Sequence, residues 1–186
     1  MTHQAVIFLA AGFEELEALA PADVFRRAGI PVTLCGVSPD AQMMVPGSHG
    51  VKVQCDIRLA DLRAADYDVC YLPGGMPGAA TLAATPAVLE AARGILASGG
   101  LVAAICAAPL ALDAAGLLEG VEYTCYPGVE KQIRHGSYTG KYIQRSGRLL
   151  TACGPAAALD FSLEILRALE LRALANQLSQ AMQQKR

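Results

Sequence analysis

The 186-residue chain is 53% hydrophobic, 17% charged and carries a formal net charge of −2 at pH 7. That is enough apolar material for one substantial core, and a single domain over residues 1–186 is expected. The chain has no basic stripe to release counterions from nucleic acid or to settle on anionic lipid, and no apolar run long enough to span a membrane, so none of these partners is expected. The first seventeen residues lack the basic region and long apolar stretch of an export signal, which points to a cytoplasmic protein. The six cysteines are then expected as thiols, and with no C-x-x-C spacing no metal site is expected.

In chain order, short aliphatic and β-branched runs at residues 5–9, 32–37, 68–72 and 101–105 read as strands. They alternate with stretches of helical period, the pattern of βαβ units around a parallel sheet. Residues 14–28 put Leu16, Leu19, Ala20, Val24 and Ala28 on one helical face and end at Gly29, with Pro21 expected to kink the helix. Residues 43–55 read as a hairpin around Pro46–Gly50, standing off the main sheet, and residues 142–152 as a second hairpin turning at Ser146–Gly147. Residues 156–169 are helical by composition. In residues 171–184, Leu171, Leu174, Leu178 and Met182 form a seam that reads as packed core.

The chemistry concentrates around Cys106. The apolar strand 101–105 runs directly into Cys106-Ala107-Ala108-Pro109, with Pro109 suited to the first turn of a helix. A thiol at a helix N-terminus is expected to lose its proton more readily and act as a nucleophile. The alternative is a buried structural cysteine, the usual fate of free cysteines. Two other segments favour reactivity. Leu72-Pro73-Gly74-Gly75-Met76-Pro77-Gly78 follows a strand at its carboxyl end, where open α/β sheets hold ligands, and its backbone N–H groups suit an oxyanion. Gly12-Phe13-Glu14-Glu15-Leu16-Glu17 opens a helix with three mutually repelling carboxylates, one of which is expected to point inward with a raised pKa and exchange protons with a substrate.

The segments AGFEELE, DVFRRAGI, YDVCYLPGGMPGA, LVAAICAAP and LLTACGPAAALDF, taken together, resemble the ThiJ/PfpI superfamily, in the branch of the parkinsonism-associated protein deglycase and its bacterial relative YajL. The resemblance runs over nearly the whole chain. It implies an α/β, flavodoxin-like three-layer sandwich of the class I glutamine amidotransferase-like type, with a mostly parallel central sheet and a nucleophile-elbow cysteine. It also implies a homodimer, with the helix at residues 14–28 in the contact, and no cofactor. By matching motif, Cys106 corresponds to the family's oxidation-sensitive nucleophile and Glu17 to the protonated acid that hydrogen-bonds it. Gly74, Gly75 and Ala107 correspond to the oxyanion-binding backbone. The implied function is that of a stress-response protein acting on small aldehydes or glycated proteins, as a glutathione-independent glyoxalase or protein deglycase. The alternative is a redox sensor or holdase chaperone whose Cys106 is oxidised to a sulfinate without turnover.

The chain departs from the family pattern at three places. Tyr126 stands where several members have a histidine, and a phenol is a poor base near neutral pH, which leaves Glu17 as the main proton carrier. His49 and Cys153 replace two arginines of an anion pocket in the human relative. His49 is a candidate to reach the active site, its alternative being a solvated turn residue, and Cys125 and Cys153 are candidate resolving cysteines for an oxidised Cys106. A PfpI-type protease is disfavoured by Ala107, which stands where that branch has a histidine. An amidotransferase is disfavoured because no histidine follows Gly154, and an isonitrile hydratase because Glu17 stands in place of an aspartate.

Overall fold

The protein was analysed as a computed structural model that describes residues 3–37 and 43–184. Its frame is a seven-stranded sheet built from β1 (Ala5–Ala10), β2 (Val32–Val37), β5 (Ile57–Arg58), β6 (Val69–Leu72), β7 (Leu101–Ile105), β10 (Ile143–Ser146) and β11 (Leu149–Ala152). The spatial order is β10-β11-β7-β6-β1-β2-β5, parallel throughout except for the antiparallel edge pair β10–β11. Four of these strands match the apolar runs in the sequence. The second hairpin forms as expected, but it extends the main sheet and turns through Gly147, whose φ of 64° is the left-handed backbone such a turn requires.

Side chains alternate between the two faces of the sheet, so each strand feeds two apolar layers. Ile7, Leu9, Tyr71, Leu101, Ala103 and Ile105 face one way, packing against helices α1 (Glu15–Arg27), α5 (Ala158–Ala168) and α6 (Arg172–Ala181). Val6, Phe8, Cys70, Leu72, Val102 and Ala104 face the other, against α2 (Gly78–Ala84), α3 (Pro86–Ala97) and α4 (Pro109–Ala114). The result is the three-layer α/β fold with a mostly parallel sheet. Pro21 does not break α1, which runs unbroken from Glu15 to Arg27. On α6, Leu171, Leu178 and Met182 pack against the core as partly buried residues.

The antiparallel ribbon of β3 (Met44–Pro46) and β4 (Lys52–Gln54) stands off the sheet as expected. It is tied to the loop after β1 by the Gly12 N–H to the Pro46 carbonyl at 2.9 Å and the Ser48 N–H to the Phe13 carbonyl at 2.8 Å. A second ribbon pairs β8 (Glu122–Tyr123) with β9 (Ser137–Tyr138) in parallel, bringing the 124–128 segment beside the end of β7.

The chain leaves β1 for β2 on one side and later returns to β6 on the other, so the strand order reverses at β1. Clefts in open α/β sheets form at such a reversal, beyond the carboxyl ends of the strands. The loops that follow β1, β6 and β7 meet there.

Candidate active site at the carboxyl edge of the sheet

Cys106 closes β7 with φ of 62°, a left-handed conformation that costs a side-chain-bearing residue free energy and persists only where neighbours hold it. Three backbone hydrogen bonds do so. The Cys106 N–H donates to the Ala152 carbonyl, its own carbonyl accepts from the Tyr126 N–H, and the Ala108 N–H reaches back to Ile105, each at 2.9 Å. The side chain is thus turned out of the strand into the junction of the three loops, with 9% of the residue exposed.

Glu17, on the first turns of α1, is completely buried. Its Oε2 accepts the Gly74 N–H at 2.8 Å, and its carboxyl interacts with the Cys106 thiol, while Oε1 has no hydrogen-bond partner. Burial pushes the Glu17 carboxyl up to about 7, against the lowering influence of Cys106 and the Gly74 N–H. An orphaned, buried carboxyl oxygen suits an O–H better than a bare negative charge.

The other two acids of the motif have separate tasks. Glu14 caps α1, accepting the Glu17 N–H at 2.8 Å, and thereby helps set the position of Glu17. Glu15 binds the β3–β4 turn, accepting the His49 N–H at 2.7 Å and pairing with His49 Nδ1 at 2.8 Å. Although burial acts to raise Glu15, the His49 and Val51 hydrogen bonds outweigh it and bring the carboxyl down to about 2. All three acids are buried, and their separate partners, the α1 N-terminus, the β3–β4 turn and the Gly74 N–H, offset the repulsion that three adjacent carboxylates imply.

Gly74 and Gly75 supply the floor. A Cβ on Gly74 would lie 2.7 Å from both the Cys106 Cβ and Glu17 Oε2, so only glycine admits the acid and the thiol at this spacing. The Gly74 N–H is already committed to Glu17, which corrects the expectation that it binds an oxyanion: it orients the acid. The backbone N–H groups of Gly75 and Ala107 act on Cys106 itself, favouring its charged form.

The expectation of a lowered thiol pKa is also corrected. Burial first, then the charge of Glu17 and its hydrogen bond, push Cys106 up to about 12, outweighing the two N–H groups. Helix α4 spans six residues and begins three positions beyond Cys106, too short and too far for its dipole to dominate. Cys106 and Glu17 therefore form a coupled pair, in which an ionised acid holds the proton on sulfur and a protonated acid removes that repulsion and offers its O–H instead.

The remaining sequence candidates separate. His49 bonds to Glu15 within its own chain, away from Cys106. Cys125 is fully buried and belongs to the apolar layer on the other face of the sheet from Cys106. Cys153 follows Ala152, the register partner of Ile105, and packs on the same layer as Cys106. Tyr126 is 51% exposed and, with Cys153, Gly154, Tyr138 and Tyr142, lines a cavity of about 430 Å³ on the segments hydrogen-bonded to the Cys106 backbone. Tyr138 and Tyr142 were not singled out from sequence. The available signal was that four of the chain's six tyrosines fall between residues 123 and 142. Among the described residues, Glu14, Glu15 and His49 bring three potential metal-ligand atoms within 4.8 Å of one another, but these atoms are occupied with capping the helix and holding the turn.

The fold and site together define an α/β protein with a cysteine on a strained strand-to-helix elbow and a buried acid against it. The chain belongs to the DJ-1/PfpI family, whose sequence profile matches residues 3–168. It is 38% identical over 170 residues to the Parkinson disease protein 7 homolog of Danio rerio, covering 89% of each chain. Over 161 residues it is 34% identical to the glutathione-independent glyoxalase DJR-1.2 of Caenorhabditis elegans, covering 84% of this chain and 83% of that protein. The crystal structure of Drosophila melanogaster DJ-1beta superposes with a TM-score of 0.93 at 35% identity, over 100% of both chains.

Proposed function

We propose that the protein is a cofactor-independent enzyme acting on α-oxoaldehydes, of the glutathione-independent glyoxalase or protein deglycase type, with Cys106 as nucleophile and Glu17 as proton carrier. The observation that carries this reading is the buried Glu17 carboxyl, raised to about 7 by its surroundings, placed against a cysteine that also receives two backbone N–H groups. A general acid and base works best when its pKa lies near the operating pH. The similarity to a protein named as a glyoxalase supports the same direction.

In this reading the reactive form carries the pair's single proton on Glu17. The Cys106 thiolate attacks the aldehyde carbon, forming a C–S bond, and the carbonyl oxygen takes the Glu17 proton. The ionised Glu17 then removes the hydrogen of that carbon as a proton and delivers it to the adjacent carbon, while the hydroxyl proton passes to the neighbouring oxygen, giving a thioester of a 2-hydroxy acid. Water breaks the C–S bond and restores the thiol. The sum is one dicarbonyl plus one water giving one hydroxy acid, with no external oxidant or reductant.

A second reading, a redox sensor or holdase whose Cys106 is oxidised without turnover, is favoured by the Gly75 and Ala107 N–H groups, which suit sulfinate oxygens as well as a thiolate. The proposal also includes a homodimer. Leu16 is 63% exposed, and Leu19, Met44 and Val51 are exposed on the same α1 and hairpin region that Glu15 ties together, an apolar surface that suits a second copy. It places the protein in the reducing cytoplasm, supported by six unpaired cysteines. Among the described residues no helix is long and apolar enough to cross a membrane.

The deciding experiment supplies methylglyoxal without glutathione and follows lactate for the parent, Cys106→Ser and Glu17→Gln. Many turnovers by the parent and background rates in both variants are expected. Background rates in all three, with peroxide converting Cys106 selectively to a sulfinate, would replace the enzyme with the sensor.

A further inference from the structure

The cavity whose walls are hydrogen-bonded to the Cys106 backbone is larger than methylglyoxal requires. Its walls are Tyr126, Tyr138, Tyr142, Cys153, Gly154 and Pro155 with their neighbours, and none of its lining residues carries a charge. At about 430 Å³ it lies within the range of pockets that enclose small organic ligands. Both of its sides are anchored to the reactive cysteine. The Tyr126 N–H bonds the Cys106 carbonyl, and the Cys106 N–H bonds Ala152, the residue before the Cys153–Gly154 wall.

The exposure pattern singles out the same place. Large apolar side chains of this chain are mostly buried. Among the described residues, apart from Met76 in the glycine-rich loop, those left exposed belong either to α1 and the β3–β4 hairpin or to this cavity, as Tyr126, Tyr138 and Tyr142. Tyrosine side chains lining a concave, uncharged surface offer contact to a flat apolar group and little to a charged one. Tyr142 is fixed by its hydroxyl, which donates to the Ala156 carbonyl at 2.7 Å, leaving its ring as a rigid wall.

We propose that this cavity is a substrate-side-chain subsite, and that the preferred substrates are α-oxoaldehydes bearing an aromatic or comparably bulky apolar substituent, the aryl glyoxals, rather than methylglyoxal. The inference rests on the proposed reaction at Cys106. The aldehyde carbon sits at the thiol, the substituent lies between the tyrosines, and the chemistry is otherwise unchanged: phenylglyoxal plus water gives mandelate. A methyl group leaves the cavity unfilled and gains nothing from its walls. Each added apolar group that a pocket encloses changes discrimination by about one to two orders of magnitude.

The test compares kcat/KM for phenylglyoxal and methylglyoxal in the parent, Tyr126→Ala and Tyr138→Ala proteins, with folding checked by circular dichroism. A preference for phenylglyoxal of at least about tenfold is expected. Each tyrosine variant is expected to reduce that ratio severalfold. Turnover of methylglyoxal with no preference for the aryl substrate overturns the subsite while leaving the reaction at Cys106 in place. If neither dicarbonyl is consumed, the reaction fails and the cavity is judged by binding alone. The chain has no tryptophan, so quenching of tyrosine fluorescence by mandelate and by lactate reads the cavity directly. Tighter binding of mandelate, weakened in Tyr138→Ala, supports the subsite, and equal binding of the two overturns it.

Discussion

Replacing Glu17 by glutamine removes a titration from the buried site while keeping an oxygen to accept the Gly74 N–H. In the parent, burial raises the Glu17 carboxyl from its ordinary 4.5 to about 7. Between those values the folded protein holds a proton that the unfolded chain has released. The stabilisation from this group is therefore fully present below pH 4.5 and is lost as pH rises through about 7. At roughly 1.4 kcal/mol per pH unit, the loss amounts to about 3 kcal/mol. Urea denaturation of the parent and Glu17→Gln, followed by far-ultraviolet circular dichroism from pH 4.5 to 8, isolates this contribution, because groups that titrate alike in both proteins cancel in the difference and the Cys106 thiol, which Glu17 shifts, stays protonated over most of that range. The parent is expected to lose about 3 kcal/mol relative to the variant across the interval and then to run parallel to it. Curves that stay parallel throughout would refute the assignment of a raised pKa to Glu17.

Three further outcomes follow from the same geometry. Because Cys106 is held at φ 62°, Cys106→Gly should be about 1 kcal/mol more stable than Cys106→Ala by urea denaturation, and an alanine variant of equal or greater stability contradicts the strain. Gly74→Ala pushes a methyl group against the Cys106 side chain and Glu17 together, so it should cost about 1–3 kcal/mol and abolish turnover, and full activity in this variant contradicts the packing of the pair. The Tyr71 hydroxyl is fully buried without a hydrogen-bond partner, so Tyr71→Phe should raise stability by about 1 kcal/mol in the same assay, whereas a loss of that size places the hydroxyl in a hydrogen bond after all.

Much of the fold was legible because its central strands are short, apolar and separated by helical patterns. Residues 101–105 could hardly have been anything but a buried strand, and Pro109 marked the helix that follows. The three two-residue strands β5, β8 and β9 leave no periodic trace. The site divides in the same way. Cys106 stood out by local context, and the inward role of Glu17 came from the family resemblance. The task of Glu15 was hidden because its partner His49 lies thirty-four residues away, across a turn. Long-range hydrogen bonding also explains the two corrections. The Gly74 N–H is taken by an acid fifty-seven residues earlier in the chain, and burial, joined by the charge of that same acid, raises the Cys106 thiol instead of lowering it. Local sequence reasoning sees the end of a helix and a glycine loop, but not the carboxyl that folding places between them.

The most direct test of the shared proton is the rate of Cys106 alkylation by iodoacetamide, followed by peptide mass spectrometry from pH 5 to 10 in the parent and Glu17→Gln. A coupled pair that gives up its first proton as the acid's range near 7 is crossed should show a rate that rises through about pH 7 and then levels, and that step should be missing from the variant. Identical profiles in the two proteins would mean that Glu17 does not govern the thiol, and the proposed chemistry would lose its proton carrier.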